Sequence, residues 1–296
     1  MPTMQSELEA SPSSNPQAPL AHRTQPSPFV QYTRAFAGLF RRDLYVLRRE
    51  TIPFLIRVCM NPLLFLFVFT YIMPHMSGGA AMNPTAAMAG ANFSTVLLPG
   101  LMAVAIMFSG IAAVALPLAQ EFGITREIDD RVMCPLPVSA VAIEKIVFSS
   151  VQSMIAAAVV FPLAYFVPAT PVYAHVNSWP FLIAVLALAS LTAGALGLVI
   201  GTSVKPAQIG LIFGTVVMPI TFLGCVYYPW AKLDTMPWLQ NGVLINPIVY
   251  MSEGLRAALT PSLPHMHPAI VLLMLTGFLG LLTAFGIQGF VRRVIG

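Results

Sequence analysis

The sequence predicts an all-α membrane protein with six transmembrane helices and both termini in the cytoplasm. Hydrophobic residues make up 57% of the chain and charged residues only 9%, whereas charged side chains form about a quarter of a typical soluble domain. Long apolar runs are nearly free of charge and lack the two-residue alternation of barrel strands. Because lipid cannot satisfy backbone hydrogen bonds, we expect these runs to be helices.

Six apolar runs are long enough to cross a hydrocarbon core of about 30 Å, which takes about 20 helical residues. We predict that they form one transmembrane domain over residues 51–296. The predicted spans are about 53–73, 94–118, 143–167, 180–201, 207–228 and 268–290.

The basic residues predict the orientation of these spans. Thirteen of the fifteen Arg and Lys residues fall before the first span, at its start, between spans two and three, after span four or at the end of the chain. Only Lys232 and Arg256 fall on the opposite side. The positive-inside rule therefore predicts cytoplasmic termini, and we expect a multi-pass protein of the inner (cytoplasmic) membrane.

Two segments precede the first span. Residues 1–28 are rich in Ser, Pro, Gln and Ala and lack a signal-peptide core, which predicts a disordered cytoplasmic tail. Residues 29–50 predict an amphipathic interfacial helix that contacts membrane lipid on the inner leaflet. An alternative is that its basic residues serve only as a topology signal. Its apolar face consists of Phe36, Phe40, Leu44 and Leu47, and its basic face of Arg34, Arg41 and Arg48.

The positions of the charged residues disfavour several functions. Arg57, Glu144 and Lys145 lie near predicted cytoplasmic ends, where long side chains can reach water, and no ionisable residue falls in the middle of a span. This distribution disfavours an ion-coupled carrier. No lysine follows a glycine as a phosphate-binding loop requires. We therefore expect no catalytic residue, metal site or cofactor in this chain, and no nucleic-acid partner.

The loop from Gln120 to Ala142 is the longest on the cytoplasmic side. Ile124, Ile128 and Val132 recur at four-residue spacing among charged residues, which predicts a short amphipathic helix beneath the membrane. A solvated connector is the alternative. The sequence Glu121-Phe122-Gly123-Ile124-Thr125-Arg126-Glu127, followed by Pro137-Val138-Ser139, resembles a segment of the ABC-2 type transporter permeases, the membrane subunits of ABC exporters.

Two further elements resemble the same family. One lies at the outer end of span five and contains Gly224 and Tyr228-Pro229. Here we expect Gly224 to allow close backbone approach and Pro229 to end the helix, although an ordinary helix end uses the same residues. The other lies before the last span and reads Asn246-Pro247-Ile248-Val249-Tyr250-Met251-Ser252-Glu253-Gly254-Leu255-Arg256.

The outer segment 230–268 is too apolar for an ordinary loop. We predict short re-entrant helices in the outer leaflet, tolerated where protein covers their backbone. Glu253 and Arg256 are three residues apart, so they could pair on such a helix. A surface pair of this kind contributes at most about 0.5 kcal/mol.

The resemblance implies a permease subunit that moves a drug, a lipid or a lipid-linked glycan and is driven by ATP hydrolysed elsewhere. It implies two ATP-binding subunits, which hold ATP and Mg²⁺, and a second permease subunit. An ion-coupled carrier or a channel without an ATPase partner is the alternative function. The implied coupling helix to the ATPase comprises Glu121, Phe122, Gly123, Ile124, Thr125, Arg126, Glu127 and Ile128. The implied outer gate comprises Gly224, Tyr228, Pro229, Asn246, Pro247, Tyr250, Glu253 and Arg256.

Overall fold

The computed structural model describes residues 28–72, 93–125, 136–166 and 174–295. Within these ranges all regular secondary structure is helical, which confirms the predicted all-α membrane fold. Among the described residues, four helices are long and apolar enough to cross a membrane, and they coincide with predicted spans two, three, four and six. They are Thr95–Gly123, Val138–Ala164, Trp179–Ser203 and Pro268–Val294.

We number nine helices within these ranges in chain order. Shorter turns extend them: π-helical turns continue α2 over Phe67–Ile72 and α3 over Glu121–Thr125, and a 3-10 turn at Trp230–Thr235 precedes α7. The helices are α1 Pro28–Arg49, α2 Thr51–Leu66, α3 Phe93–Gln120, α4 Val138–Phe166, α5 Trp179–Ser203, α6 Pro206–Phe222, α7 Pro237–Gly242, α8 Pro247–Leu259 and α9 Pro268–Ile295.

The first and fifth predicted spans correspond to the shorter apolar helices α2 and α6. The count of six spans and the cytoplasmic position of the termini stay predictions. Helix α6 ends at Phe222, so the prediction that Pro229 ends it is wrong. Gly224 N donates to Thr221 O over 3.1 Å and Cys225 has φ of 52°, so a left-handed turn ends the helix. Pro229 instead precedes the turn at Trp230–Thr235.

Helices α3 and α5 form the centre of the bundle. They pack extensively against each other; α3 also contacts α4 and α8, and α5 also contacts α4, α8 and α9. The most apolar stretch of α3 is 67% buried within the chain, against 17% for that of α9. Helix α9 is therefore peripheral and presents most of its apolar surface outward, as expected for a lipid-facing helix.

The ends of the long helices meet in two groups. Lys145 at the start of α4 contacts Glu121 at the end of α3, and we call this the inner end. At the opposite end, which we call the outer end, His175 N before α5 donates to Leu259 O in α8 over 2.9 Å. Helices α3, α4 and α5 thus alternate in direction between the two ends, whereas α9 runs in the same direction as α5, because Arg293 near its end lies at the carboxyl end of α5.

Helix α1 confirms a helix at the predicted interfacial segment, and Arg34, Arg41 and Arg48 are exposed on it. Part of its apolar face packs on the bundle, because the Phe40 and Phe148 rings meet edge to face at 6.1 Å. Its position on the inner leaflet stays a prediction. Of the predicted tail 1–28, only the last residue is among the described ones.

Candidate transport site

Helix α8 begins where the sequence Asn-Pro supplies a helix start. The Asn246 side chain accepts a hydrogen bond from Ile248 N over 3.1 Å, as an N-cap residue does. Pro247 follows at the first helical position, where its missing N–H costs nothing. Asn246 Nδ2 also donates to Ile220 O over 2.6 Å, which joins α8 to α6. The Asn-Pro element therefore sets both the start and the position of α8.

Helix α8 is buried along its whole length of 13 residues. The side chains of Glu253 and Arg256 are completely inaccessible and form a salt bridge. The two residues do pair, but the interpretation of a surface pair is wrong because surrounding helices cover α8 on all sides. Removing two charges from water costs free energy that only close pairing and further hydrogen bonds offset.

Those further hydrogen bonds reach both loops that flank α8. Glu253 accepts from Trp230 N over 2.8 Å and from Met266 N over 2.9 Å. Arg256 Nη2 donates to Cys225 O over 3.0 Å. The pair thus holds the loop after α6 and the loop before α9 against one buried helix. We call Glu253, Arg256 and these backbone partners the outer network.

The predicted Gly224 to Pro229 element forms part of the same assembly. Ser252 Oγ donates to Gly224 O over 2.8 Å, Tyr228 is half-buried and Pro229 is buried. Tyr250 of α8 is buried, and its hydroxyl donates to Leu244 O over 2.9 Å. The structure therefore brings the predicted outer-gate residues together around α8, while their role as a gate stays a prediction.

Sequence reasoning missed Gly100, which lies in α3 beneath the outer network. A Cβ atom at this position would lie 2.0 Å from Val226 O and 2.6 Å from Val226 C. The backbones of α3 and the loop after α6 therefore touch directly, which only glycine permits. A glycine in a predicted span was visible in the sequence, but its partner 126 positions along the chain was not.

At the inner end, Glu121 and Lys145 form a buried salt bridge over 2.9 Å, with side chains 6% exposed. Glu144 is also completely buried. The expectation that Glu144 and Lys145 reach water is therefore wrong, because α3 and the neighbouring helices cover this turn of α4. The pair fixes the first residue of the predicted coupling segment to α4.

Phe122, the next residue of that segment, packs against α9. Its ring meets Phe290 at 6.1 Å, and the Arg293 guanidinium lies over it, 4.6 Å from the ring centroid. This guanidinium also reaches the carboxyl end of α5, where cations are favoured. Arg293 Nη1 lies within hydrogen-bond distance of the carbonyl oxygens of Gly201 (3.0 Å), Thr202 (3.2 Å) and Val204 (2.8 Å).

The remaining part of the predicted coupling helix is only partly described. Gly123 faces Pro206 at the start of α6, where an added Cβ would lie 2.9 Å from Pro206 Cγ. Ile124 and Thr125 belong to the π-helical turn, but their side chains lie outside the described structure, as do Arg126, Glu127 and Ile128 in full. The docking role of this segment therefore stays a prediction.

We expect Arg293→Met to lower the free energy of unfolding by about 1–3 kcal/mol, because it leaves the α5 carbonyl groups without their charged donor and removes the contact with Phe122. Detergent-titrated unfolding of the purified chain measures this change. Arg292→Met is the matched control, because the neighbouring Arg292 is exposed. Equal effects of the two substitutions would contradict the assigned role of Arg293.

Two adjoining cavities lie between α2, α3 and α4. The first, of about 410 Å³, is mainly apolar and extends to Phe213 of α6. The second, of about 540 Å³, lies at the inner end and contains charged side chains of α1, α2 and α4. Because six residues line both, the cavities form one path from the inner end into the bundle. The shared residues are Phe54, Arg57, Ala112, Ala113, Leu116 and Gln152.

Comparison with protein families decides the class to which this helical bundle belongs. The model of the ABC-2 type transporter family matches residues 34–260, which include the inner-end segment, both cavities and all of the outer network except Met266. The chain belongs to the ABC-2 type transporter family. This ABC-2 permease is thus a multi-pass membrane subunit of an ABC transporter, a class of subunit that transports and is typically not itself catalytic. A sequence search of curated proteins gives no match.

Proposed function

We propose that this ABC-2 permease is the membrane subunit of an ATP-driven exporter in the cytoplasmic membrane. It moves a hydrophobic or amphipathic cargo, such as a drug, a lipid or a lipid-linked glycan, away from the cytoplasm. Two ATP-binding subunits hold ATP and Mg²⁺, and a second permease, identical or related, completes the assembly. This chain itself supplies the path for the cargo and the mechanical link to the ATP-binding subunits, and it binds no cofactor of its own.

The observation that carries this proposal is the asymmetry of the bundle between its two ends. The connected cavities extend inward from the inner end, whereas the buried helix α8 and the outer network fill the outer end. A cargo therefore has access from the inner end first and is released once the outer end rearranges. Apolar lining in the first cavity favours cargo that binds by burying apolar surface.

The inner-end contacts supply the mechanical link. Glu121 joins the segment after α3 to α4, Phe122 joins it to α9, and Gly123 lies against the start of α6. A push on residues 121–128 from a partner is thus transmitted to several helices at once, as rigid-body coupling requires. Nucleotide closure in the ATP-binding subunits would tilt α2, α3 and α6 and widen the path at the outer end.

Affinity purification of the chain in mild detergent from its native cell tests this function. We expect an ATP-binding subunit to co-purify and to hydrolyse ATP. Ile124→Asp and Glu127→Lys are expected to release it or to uncouple its hydrolysis, because they alter the apolar and acidic positions of the predicted docking helix. The readouts are the amount of ATP-binding subunit and the ATPase rate of the eluate.

A charge change at the opposite end provides the control. Asp234 is exposed in the outer segment, so Asp234→Lys is expected to leave both co-purification and ATPase rate unchanged. If a folded permease retains no nucleotide-binding partner, the exporter function is wrong and a carrier or channel takes its place. If Asp234→Lys has the same effect as Glu127→Lys, the docking site is wrong.

A further inference from the structure

The junction of the two cavities contains an arginine with no acidic partner. Arg57 lines both cavities, and within the described ranges no carboxylate forms an ion pair with it. In contrast, Lys145 in the inner cavity is already paired with Glu121. The inner cavity is also lined by the acidic residues Asp43, Glu50 and Glu121, but Arg57 is exposed and forms no ion pair with them. Arg57 therefore offers a water-accessible guanidinium without an ion pair at the point where the path becomes apolar.

Arg57 is also the only charged side chain among the residues that line the apolar cavity in the described structure. The remaining lining is aliphatic or aromatic apart from Ser109 and Gln152. A lone cation in such a setting is stabilised by an anion that enters with its own apolar body. Guanidinium groups bind carboxylate and phosphate through two parallel hydrogen bonds, which gives preference for these headgroups.

Ser109 gives independent support for a polar contact in the same cavity. Its hydroxyl is buried and has no hydrogen-bond partner among the described residues. Several other buried hydroxyls in this bundle bond to the carbonyl one turn earlier, as Ser153 does with Ser149 O over 2.9 Å and Thr192 with Leu188 O over 2.7 Å. Ser190 Oγ is also buried without a partner among the described residues, but Ser190 does not line the cavity. A buried hydroxyl without a partner costs free energy, so Ser109 is suited to bind a polar atom of a ligand.

We propose that the apolar cavity selects amphipathic anions, with the apolar part of the molecule in the cavity between α2, α3 and α6 and a carboxylate or phosphate group on Arg57. Ser109 and Gln152 then contact polar atoms near the headgroup. The volume of about 410 Å³ falls within the range of about 300–1,000 Å³ usual for small-molecule sites. This inference rests on the proposed function, since it names the cargo class of the same path.

Binding to the purified full-length chain in a non-ionic detergent tests the selectivity. Three fluorescent probes share a dodecyl chain and end in a carboxylate, a trimethylammonium group or a neutral amide, with empty micelles as the blank. We expect the carboxylate probe to bind about tenfold more tightly than the neutral one, a factor that corresponds to about 1.4 kcal/mol. We expect Arg57→Gln to remove this preference. Arg57→Lys should retain part of it, because lysine keeps the positive charge but cannot donate the two parallel hydrogen bonds of a guanidinium group.

Arg292→Gln is the matched control, because Arg292 is an exposed arginine like Arg57 but lines neither cavity. It should leave the preference for the carboxylate probe intact. Ala112→Trp, which fills the shared part of the path, should weaken all three probes alike. Equal binding of the three probes to the unchanged chain, or an unchanged preference in Arg57→Gln, would overturn the inference.

Nanodiscs distinguish a membrane lipid from a smaller amphiphile as the source of the anion. If phosphatidylglycerol displaces the carboxylate probe and phosphatidylcholine does not, the site binds an anionic lipid. If the probe stays bound in the presence of phosphatidylglycerol, the site binds a smaller amphiphile. Neither outcome depends on an ATPase. If the chain prefers the carboxylate probe but no ATP-binding subunit co-purifies, only the exporter function is rejected. If an ATP-binding subunit co-purifies but the chain shows no headgroup preference, only the anion selectivity is rejected.

Discussion

Glu253→Ala is expected to lower the free energy of unfolding by about 3–5 kcal/mol, because it leaves the Arg256 guanidinium buried without its counter-charge. The same substitution removes the acceptor of two backbone donors, Trp230 N and Met266 N. Both loops around α8 lose their anchor in one step. Unfolding in mixed micelles, with increasing sodium dodecyl sulfate and tryptophan fluorescence as the signal, measures the change, and Trp230 reports locally.

Two further variants separate the buried pair from a general effect of lost charge. Asp234→Ala removes an exposed carboxylate from the same outer segment, and surface substitutions of this kind usually stay within about 0.5 kcal/mol. The double variant Glu253→Leu, Arg256→Met removes both charges and is expected to be more stable than Glu253→Ala. If Glu253→Ala lowers the free energy of unfolding by no more than Asp234→Ala does, the stability of α8 does not depend on this pair.

Gly100→Ala is expected to lower the free energy of unfolding by about 1–3 kcal/mol through overpacking. This is a large effect for the addition of one methyl group. The new Cβ would lie 2.0 Å from Val226 O, and a backbone carbonyl cannot move aside as a flexible side chain can. The loop after α6 must shift away from α3, which strains the contacts of Cys225 and Val226. The same unfolding titration measures the loss.

Gly210→Ala in α6 is the matched control, because no atom lies within 4 Å of a Cβ built there. Alanine also favours the helix by about 1 kcal/mol over glycine, so Gly210→Ala is expected to be neutral or stabilising. Equal losses at Gly100 and Gly210 would argue against the close approach of α3 and the outer loop.

The fold class and four of the spans could be predicted from the sequence because each depends on local properties. A run of about 20 apolar residues must form a helix in lipid whatever its neighbours are. The start of α8 was also locally encoded. Asn246 accepts a hydrogen bond from the otherwise unpaired N–H of Ile248, and Pro247 at the first helical position has no N–H that needs a partner. The end of α6 was not, because the turn at Cys225 depends on bonds from α8.

The residues of the candidate site were partly predictable, but their environments were not. The sequence placed Glu253 and Arg256 three residues apart, which was sufficient to predict a pair but not its complete burial. Glu144 and Lys145 were expected in water and are buried instead. Burial depends on which helices pack over a given turn, and those helices come from distant parts of the chain.

By itself, the sequence determined that this chain is a helical membrane protein whose motifs resemble the family to which it belongs. Hydrophobicity, charge placement and helix-start residues act over one or two turns, so a single chain displays them directly. Only the tertiary structure decided which residues meet. It brings the backbone of Gly100 against that of Val226, Arg293 over the ring of Phe122, and Arg57 to the junction of two cavities. These contacts arise from packing between helices far apart in sequence, and the cavities and the outer network exist only where those helices converge.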